Sequence, residues 1–118
     1  MSQQVGLAAE EAVRTYLSKQ GLKFLTKNFR CKLGEIDLIM RDGQCLVFVE
    51  VPARASAGYG GALASVTKSK QQKLIKTTMY FLKQYKFNYK YPIRFDVVSL
   101  EGTPYEINWV KNAFGSDF

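Results

Sequence analysis

The stretch Gly34-Glu35-Ile36-Asp37-Leu38-Ile39-Met40-Arg41-Asp42-Gly43-Gln44-Cys45-Leu46-Val47-Phe48-Val49-Glu50-Val51-Pro52 decides the fold. Glu35 to Arg41 reads as a strand. Ile36, Leu38 and Met40 fall on one face and Glu35, Asp37 and Ile39 on the other, because successive strand side chains point to opposite faces. Asp42-Gly43 is a strong hairpin signal, since tight two-residue turns need the positive φ that these residues tolerate. Gln44 to Val51 is the return strand, rich in valine and phenylalanine. With the turn at Asp42-Gly43, Arg41 is expected to face Gln44, Asp37 to face Phe48, and Glu35 to face Glu50. Asp37 and Glu50 then share a sheet face as diagonal neighbours, with Cα atoms roughly 7–8 Å apart.

Two carboxylates at that spacing can grip one divalent ion between them. Glu50 also ends the apolar run Leu46-Val47-Phe48-Val49, where a charge costs free energy unless it is paired or metal-bound. An equally good account from spacing alone leaves Glu50 at a strand end, reaching water or a lysine.

Outward from the hairpin, Gln4 to Gln20 reads as a helix. Val5, Ala9, Ala12, Val13, Tyr16 and Leu17 form its apolar stripe, and Gly21 stops it. Glu10 flanks that stripe and can look along the sheet toward the hairpin, while Glu11 points to solvent. The plainer account makes both ordinary surface acids early in a helix, where the dipole favours them. Leu22 to Thr26 is a strand or edge segment.

Downstream, Ala55 to Ala64 is a Gly/Ala/Ser-rich loop without the lysine-serine ending of a phosphate loop. Thr67 is placed to cap a second helix running to about Tyr85. Leu74, Thr78, Phe81, Leu82 and Tyr85 form its inner stripe, with Lys73, Lys76 and Lys83 opposite. Ile93 to Leu100 and Tyr105 to Val110 read as further strands. The order helix, strands, helix, strands gives an α/β or α+β class with a mixed sheet.

The chain of 118 residues is expected to form one domain, 1–118, and its hydrophobic fraction of 47% suits a globular protein. No apolar run approaches the roughly 20 residues of a membrane helix, and Met1-Ser2-Gln3-Gln4 lacks the start of a signal peptide. Two cysteines, Cys31 and Cys45, are too few for a disulfide framework or a four-thiolate zinc site. Reduced, buried cysteines in a cytoplasmic protein are expected.

The absence of histidine removes Ser-His-Asp and Cys-His catalysis and nearly every zinc hydrolase site. Any catalysis falls to carboxylates, lysines or tyrosines, and a carboxylate site favours Mg²⁺ or Mn²⁺.

The net charge of +7 favours an anionic partner, either nucleic acid or an anionic membrane surface. The lack of a basic helix with a bulky aromatic face counts against the membrane. Lys68, Lys70, Lys73, Lys76 and Lys83, with Arg54 and Arg94, are candidate phosphate contacts. For the outward Lys76 and Lys83 a solvated helix face is the stronger expectation. Tyr85, Phe87, Tyr89 and Tyr91 close the core over a helix end by default, or else form a binding or dimer surface. Asp96 is expected to pair with a neighbouring base on the sheet, and Trp109 to lie in the core.

Ala9-Glu10, Asn28-Phe29-Arg30, Gly34-Glu35-Ile36-Asp37-Leu38-Ile39, Val47-Phe48-Val49-Glu50-Val51, Lys70, Arg94-Phe95-Asp96-Val97-Val98 and Asn112-Ala113-Phe114 fall in one order. Over nearly its whole length the sequence resembles the YraN-like family of small bacterial proteins. That family is similar to the PD-(D/E)xK endonuclease superfamily and, in outline, to archaeal Holliday-junction resolvases.

The resemblance implies a restriction-endonuclease-like fold, a central mixed β-sheet flanked by helices. It implies Asp37 and Glu50 as metal ligands, Glu10 as the acid from the first helix and Glu35 as an outer partner. It also implies Mg²⁺ or Mn²⁺ and DNA phosphodiesters, with a homodimer by analogy to proteins that act on two-fold junctions.

The sequence departs from the superfamily pattern at one position. Where that pattern has Glu-x-Lys, this chain has Glu50-Val51-Pro52. A lysine there can orient the attacking water and stabilise charge on the phosphate. Proline does neither, and with no N–H it ends strand pairing. Arg54 has the right face parity, and Lys68 or Lys70 is an alternative source of charge. Three functions stay open: a metal-dependent endonuclease, a nucleic-acid-binding module without catalysis, and a protein-interaction or assembly factor.

Overall fold

The computed structural model describes residues 3–52, 65–86, 91–102 and 104–115. Helix α1 (Gln3–Lys19) leads into β1 (Lys23–Cys31), β2 (Gly34–Asp42) and β3 (Cys45–Glu50). Helix α2 (Lys68–Gln84) follows, then β4 (Ile93–Glu101) and β5 (Glu106–Phe114). The five strands form one sheet in the order β1-β2-β3-β4-β5. β3 and β4 are parallel and every other neighbouring pair is antiparallel. A parallel neighbour cannot be reached through a tight turn, so the chain leaves the sheet after β3 and returns through α2. The fold is α+β, an open mixed sheet flanked by helices, as the sequence implies.

β3 explains its own composition. Val47 and Val49 pack with Val13 and Leu17 of α1, whereas Leu46 and Phe48 pack with Leu74, Ile75, Phe81 and Leu82 of α2. One helix covers each face, so the central strand is apolar on both sides and shows no polar alternation. β1, at the sheet edge, alternates exposed and half-buried positions instead.

Both helices match the sequence closely. Thr67 caps α2, its hydroxyl accepting from the Lys70 N–H at 3.2 Å. Tyr85 departs from the expected inner stripe. The helix ends at Gln84, Tyr85 takes the C-cap conformation, and its side chain is exposed. Ile75 and Thr77 fill the stripe in its place. In α1, Val13 and Leu17 are fully buried and Ala9 and Tyr16 pack beside them. Val5 lies outside the residues described at side-chain level, and the 55–64 loop, Arg54, Phe87 and Tyr89 lie outside the described residues.

The hairpin register differs from expectation. Asp42 pairs with Cys45, Arg41 with Leu46 and Leu38 with Val49. The turn residues are therefore Gly43 and Gln44, with Gly43 at φ 61 in the first central position, the place a type II′ turn reserves for glycine. Phe48 pairs with Ile39 and not with Asp37, and the same register carried one step past Leu38 and Val49 points Asp37 at Glu50.

β1 is longer than its sequence suggests. The register shifts between Phe24 and Thr26, Asn28 takes φ 53 without a further shift, and pairing continues to Cys31. β5 likewise runs on to Phe114, through a bulge opposite Asp96. Cys31 and Cys45 are free, and both are half-buried, short of the full burial expected.

Candidate functional site

Asp37 stands on β2 and Glu50 at the last position of β3, at the sheet end away from the hairpin turn. Asp37 Oδ2 accepts the N–H of Val51 at 2.7 Å. That bond fixes the chain where β3 stops: Val51 and Pro52 are buried, and no strand pairing continues through them. Glu50 is half-buried beside Asp37. Burial, then the Asp37 charge, then a hydrogen bond between the two carboxyl groups push the Glu50 carboxyl up to about 9, while the Lys70 charge pulls it down. Two acids this close cannot both ionise without a neutralising partner, which can be a proton or a cation.

Glu10 reaches the same place from α1. Burial raises its carboxyl to about 7, with Asp37 and Glu35 adding repulsion and Lys27 and Arg30 opposing it. Its Oε1 is enclosed and has no hydrogen-bond partner. Glu11, one residue on, is exposed and pairs with Lys27 at 3.3 Å and Arg14 at 3.7 Å. The two neighbouring acids thus divide as their helical positions require. Glu35 lies on the rim, exposed and paired with Arg30 at 3.0 Å across the β1–β2 ladder.

Lys68, Lys70 and Lys73 are exposed at the start of α2. The packing of α2 on β2 brings this end of the helix to the acids: Gly34 lies so close that a Cβ there would stand 2.9 Å from Thr77 Oγ1 and 3.9 Å from the Lys73 carbonyl oxygen. Lys70 is the cation felt at Glu50. Sequence reasoning gave Lys70 only as one alternative, because the contact depends on how a helix about 20 residues downstream docks.

The sequence also understated Asp96. This fully buried carboxylate accepts from Arg94 Nε at 3.0 Å, Trp109 Nε1 at 2.9 Å and the Asn112 N–H at 3.0 Å. Arg94 continues to Asp42 at 2.9 Å. The pairing expected for Asp96 is present, and it makes the residue the structural tie between β2, β4 and the β5 bulge. Trp109 is half-buried, edge-on to Tyr16 at 6.0 Å.

Among the described residues, no three His, Cys, Asp or Glu side chains already converge as a metal cage. The donor set nevertheless suits a hard, oxygen-preferring ion: two facing carboxyl groups, and a third whose enclosed oxygen lacks a partner. Mg²⁺ commonly takes one or two carboxylates and completes its shell with water and phosphate oxygens. Asp37 and Glu50 are the residues that would hold such an ion, with Glu10 near enough to feel the Asp37 charge.

The model of the uncharacterised protein family UPF0102 matches residues 9–100, a span that contains all four acids and Lys70. The chain belongs to this family. UPF0102 is the YraN-like family that the sequence blocks resemble. The UPF0102 protein of Legionella pneumophila strain Philadelphia 1 is 49% identical over 114 residues, covering 97% of each chain. That of Herminiimonas arsenicoxydans is 51% identical over 95% of this chain and 87% of its own. That of Stutzerimonas stutzeri is 46% identical over 98% of both. No helix among the described residues of this UPF0102 member is long and apolar enough to cross a membrane.

Proposed function

We propose that this protein is a divalent-metal-dependent endonuclease of the PD-(D/E)xK type, acting on DNA phosphodiesters in the cytoplasm. The observation that carries the reading is the Asp37–Glu50 carboxyl pair at the carboxyl end of β3, with the unpartnered Glu10 oxygen on α1 within reach of the Asp37 charge. Ligands of open α/β sheets bind in the crevice outside the carboxyl ends of parallel strands, and β3 is one of the two parallel strands here.

When bound, Mg²⁺ or Mn²⁺ supplies Lewis-acid polarisation of the phosphate and a more acidic water. Asp37 and Glu50 would hold the ion, with Asp37 oriented by its bond to the Val51 N–H. Glu10 accepts the proton of the attacking water. Lys70 provides the positive charge that Pro52 cannot, and Lys68, Lys73 and Arg54 contact flanking phosphates. Junction DNA, with two-fold symmetry, would suit a homodimer.

A second reading keeps the binding and drops the cleavage. It is favoured by Pro52, which is buried two residues after Glu50, where the pattern has its lysine.

Cleavage of single-stranded, duplex and four-way-junction DNA with Mg²⁺ and Mn²⁺ separates the two. The endonuclease reading expects cutting by the unmodified protein and none by Asp37→Ala. Cutting only by Pro52→Lys supports the binding-only reading. Cutting by neither protein removes the nuclease assignment.

A further inference from the structure

Helix α2 carries five lysines, Lys68, Lys70, Lys73, Lys76 and Lys83, and no Asp or Glu. This charge pattern works against the helix. Acids stabilise a helix N-terminus and lysines oppose its dipole there, and like charges three or four apart repel. Only Lys70 has a compensating charge nearby, that of Glu50. Among the described residues none of the five forms an ion pair, whereas Arg30, Lys27, Arg14 and Arg94 each do.

Lys73, Lys76, Tyr80 and Lys83 recur at intervals of three, four and three, so they line one helix face, and all four are exposed. Tyr80, 45% exposed, is an aromatic ring set among ammonium groups. It is also braced. Its ring lies 6.3 Å from that of Phe29, which stands edge-on to Phe81 at 5.1 Å. Phe81 in turn meets the fully buried Phe48 at 5.9 Å. A line of rings therefore runs from the core to the surface and holds the outermost one in place, so little side-chain freedom remains to be lost on stacking.

We propose that this face of α2 binds single-stranded nucleic acid, with Tyr80 stacking on a base and Lys73, Lys76 and Lys83 contacting the flanking phosphates. An exposed ring between cations is the pattern that a strand with free base faces can use in full. A duplex offers the phosphates but keeps its bases stacked on one another. The surface lies on α2 and does not require the carboxylate cluster to cleave.

The test is fluorescence anisotropy with a labelled oligothymidylate of about 20 nucleotides, the same strand in duplex form, and polyglutamate as a control polyanion. Tyr80→Ala is expected to weaken single-strand binding on the order of tenfold, and Tyr80→Phe to retain it. Lys76→Gln/Lys83→Gln should lower the salt dependence of log affinity by about 1.4, two single-strand phosphate contacts. Tyr80→Phe and the double lysine variant should melt as the unmodified protein does, whereas Tyr80→Ala gives up the ring contact with Phe29 and is compared at a temperature where both proteins are folded. Unchanged single-strand affinity in Tyr80→Ala overturns the proposal, as does equal competition by polyglutamate. The binding is read in EDTA, without divalent metal, so loss of the nuclease reading leaves the result interpretable.

Discussion

The Asp37 carboxylate, on β2, receives the backbone N–H of Val51, the first residue after β3, at 2.7 Å. One side chain thus both ends a strand and faces Glu50. The two roles separate by substitution. Asp37→Ala leaves the Val51 N–H without its acceptor, whereas Asp37→Asn keeps an oxygen for it. Asp37→Asn should therefore be the more stable variant by about 1 kcal/mol in urea unfolding. Both should lose any rise in Tm that Mn²⁺ gives the unmodified protein. A Tm rise preserved in both would remove Asp37 from the metal site.

The pH dependence of stability follows from Glu10 and Glu50. Their carboxyls stand at about 7 and about 9, against 4.5 for a free glutamate. Between those values the native chain keeps protons that the unfolded chain has released. Stability must then fall as pH rises from about 4.5, first through the Glu10 range and then through that of Glu50. Thermal melts from pH 5 to 9 should show a declining Tm, with the alkaline part of the decline flattened in Glu50→Gln. Mn²⁺ should add more to Tm at the alkaline end, where it no longer competes with these protons. A Tm that climbs over this range would contradict the arrangement of the acids.

Asp96 is fully buried and holds Arg94, Trp109 and the Asn112 N–H together. Asp96→Ala leaves the largely buried Arg94 guanidinium with Asp42 alone and opens the β5 bulge. Removing one partner of a buried ion pair costs about 3–5 kcal/mol, so denaturant unfolding should show a loss of that order. A change below about 1 kcal/mol would mean that the bulge is held by its ladder alone.

Gly34, at φ 150, admits α2 against β2, and an added Cβ would meet Thr77 Oγ1 at 2.9 Å. Gly34→Ala should destabilise by about 1–3 kcal/mol. Adding Thr77→Ala should recover part of that loss, as a coupled pair does in a double-mutant cycle. Additive losses would place the strain in the backbone.

The elements and the acids were legible because each rests on local pattern. Val13 and Leu17 recur at helical spacing, Thr67 is a cap, and the apolar run from Leu46 to Val49 is a strand buried on both faces. What escaped depended on single backbone conformations or on distant docking. The hairpin moved by one turn position because Gly43 takes the first central place in the turn, which shifted Asp37 from Phe48 to Glu50. The second half of β1 follows a register shift between Phe24 and Thr26 and holds Asn28 at φ 53, and neither has a signature in the alternation of the residues. Tyr85 left the inner stripe because α2 stops one residue before it. The effect of Lys70 on Glu50 has no local signature, since the packing of α2 on the sheet creates it.

The parallel pairing of β3 with β4 has a consequence for how the chain assembles. The β1–β2–β3 meander and the β4–β5 hairpin each join segments that are neighbours in sequence. Leu46 and Ile93, by contrast, must find each other across 47 positions of chain. Loop-closure entropy makes that meeting the late and slow event. The acids all stand on α1, β2 and β3, on the early side of this seam, so they can gather before the two halves of the sheet close, and only the Lys70 charge on α2 waits for the crossover to dock.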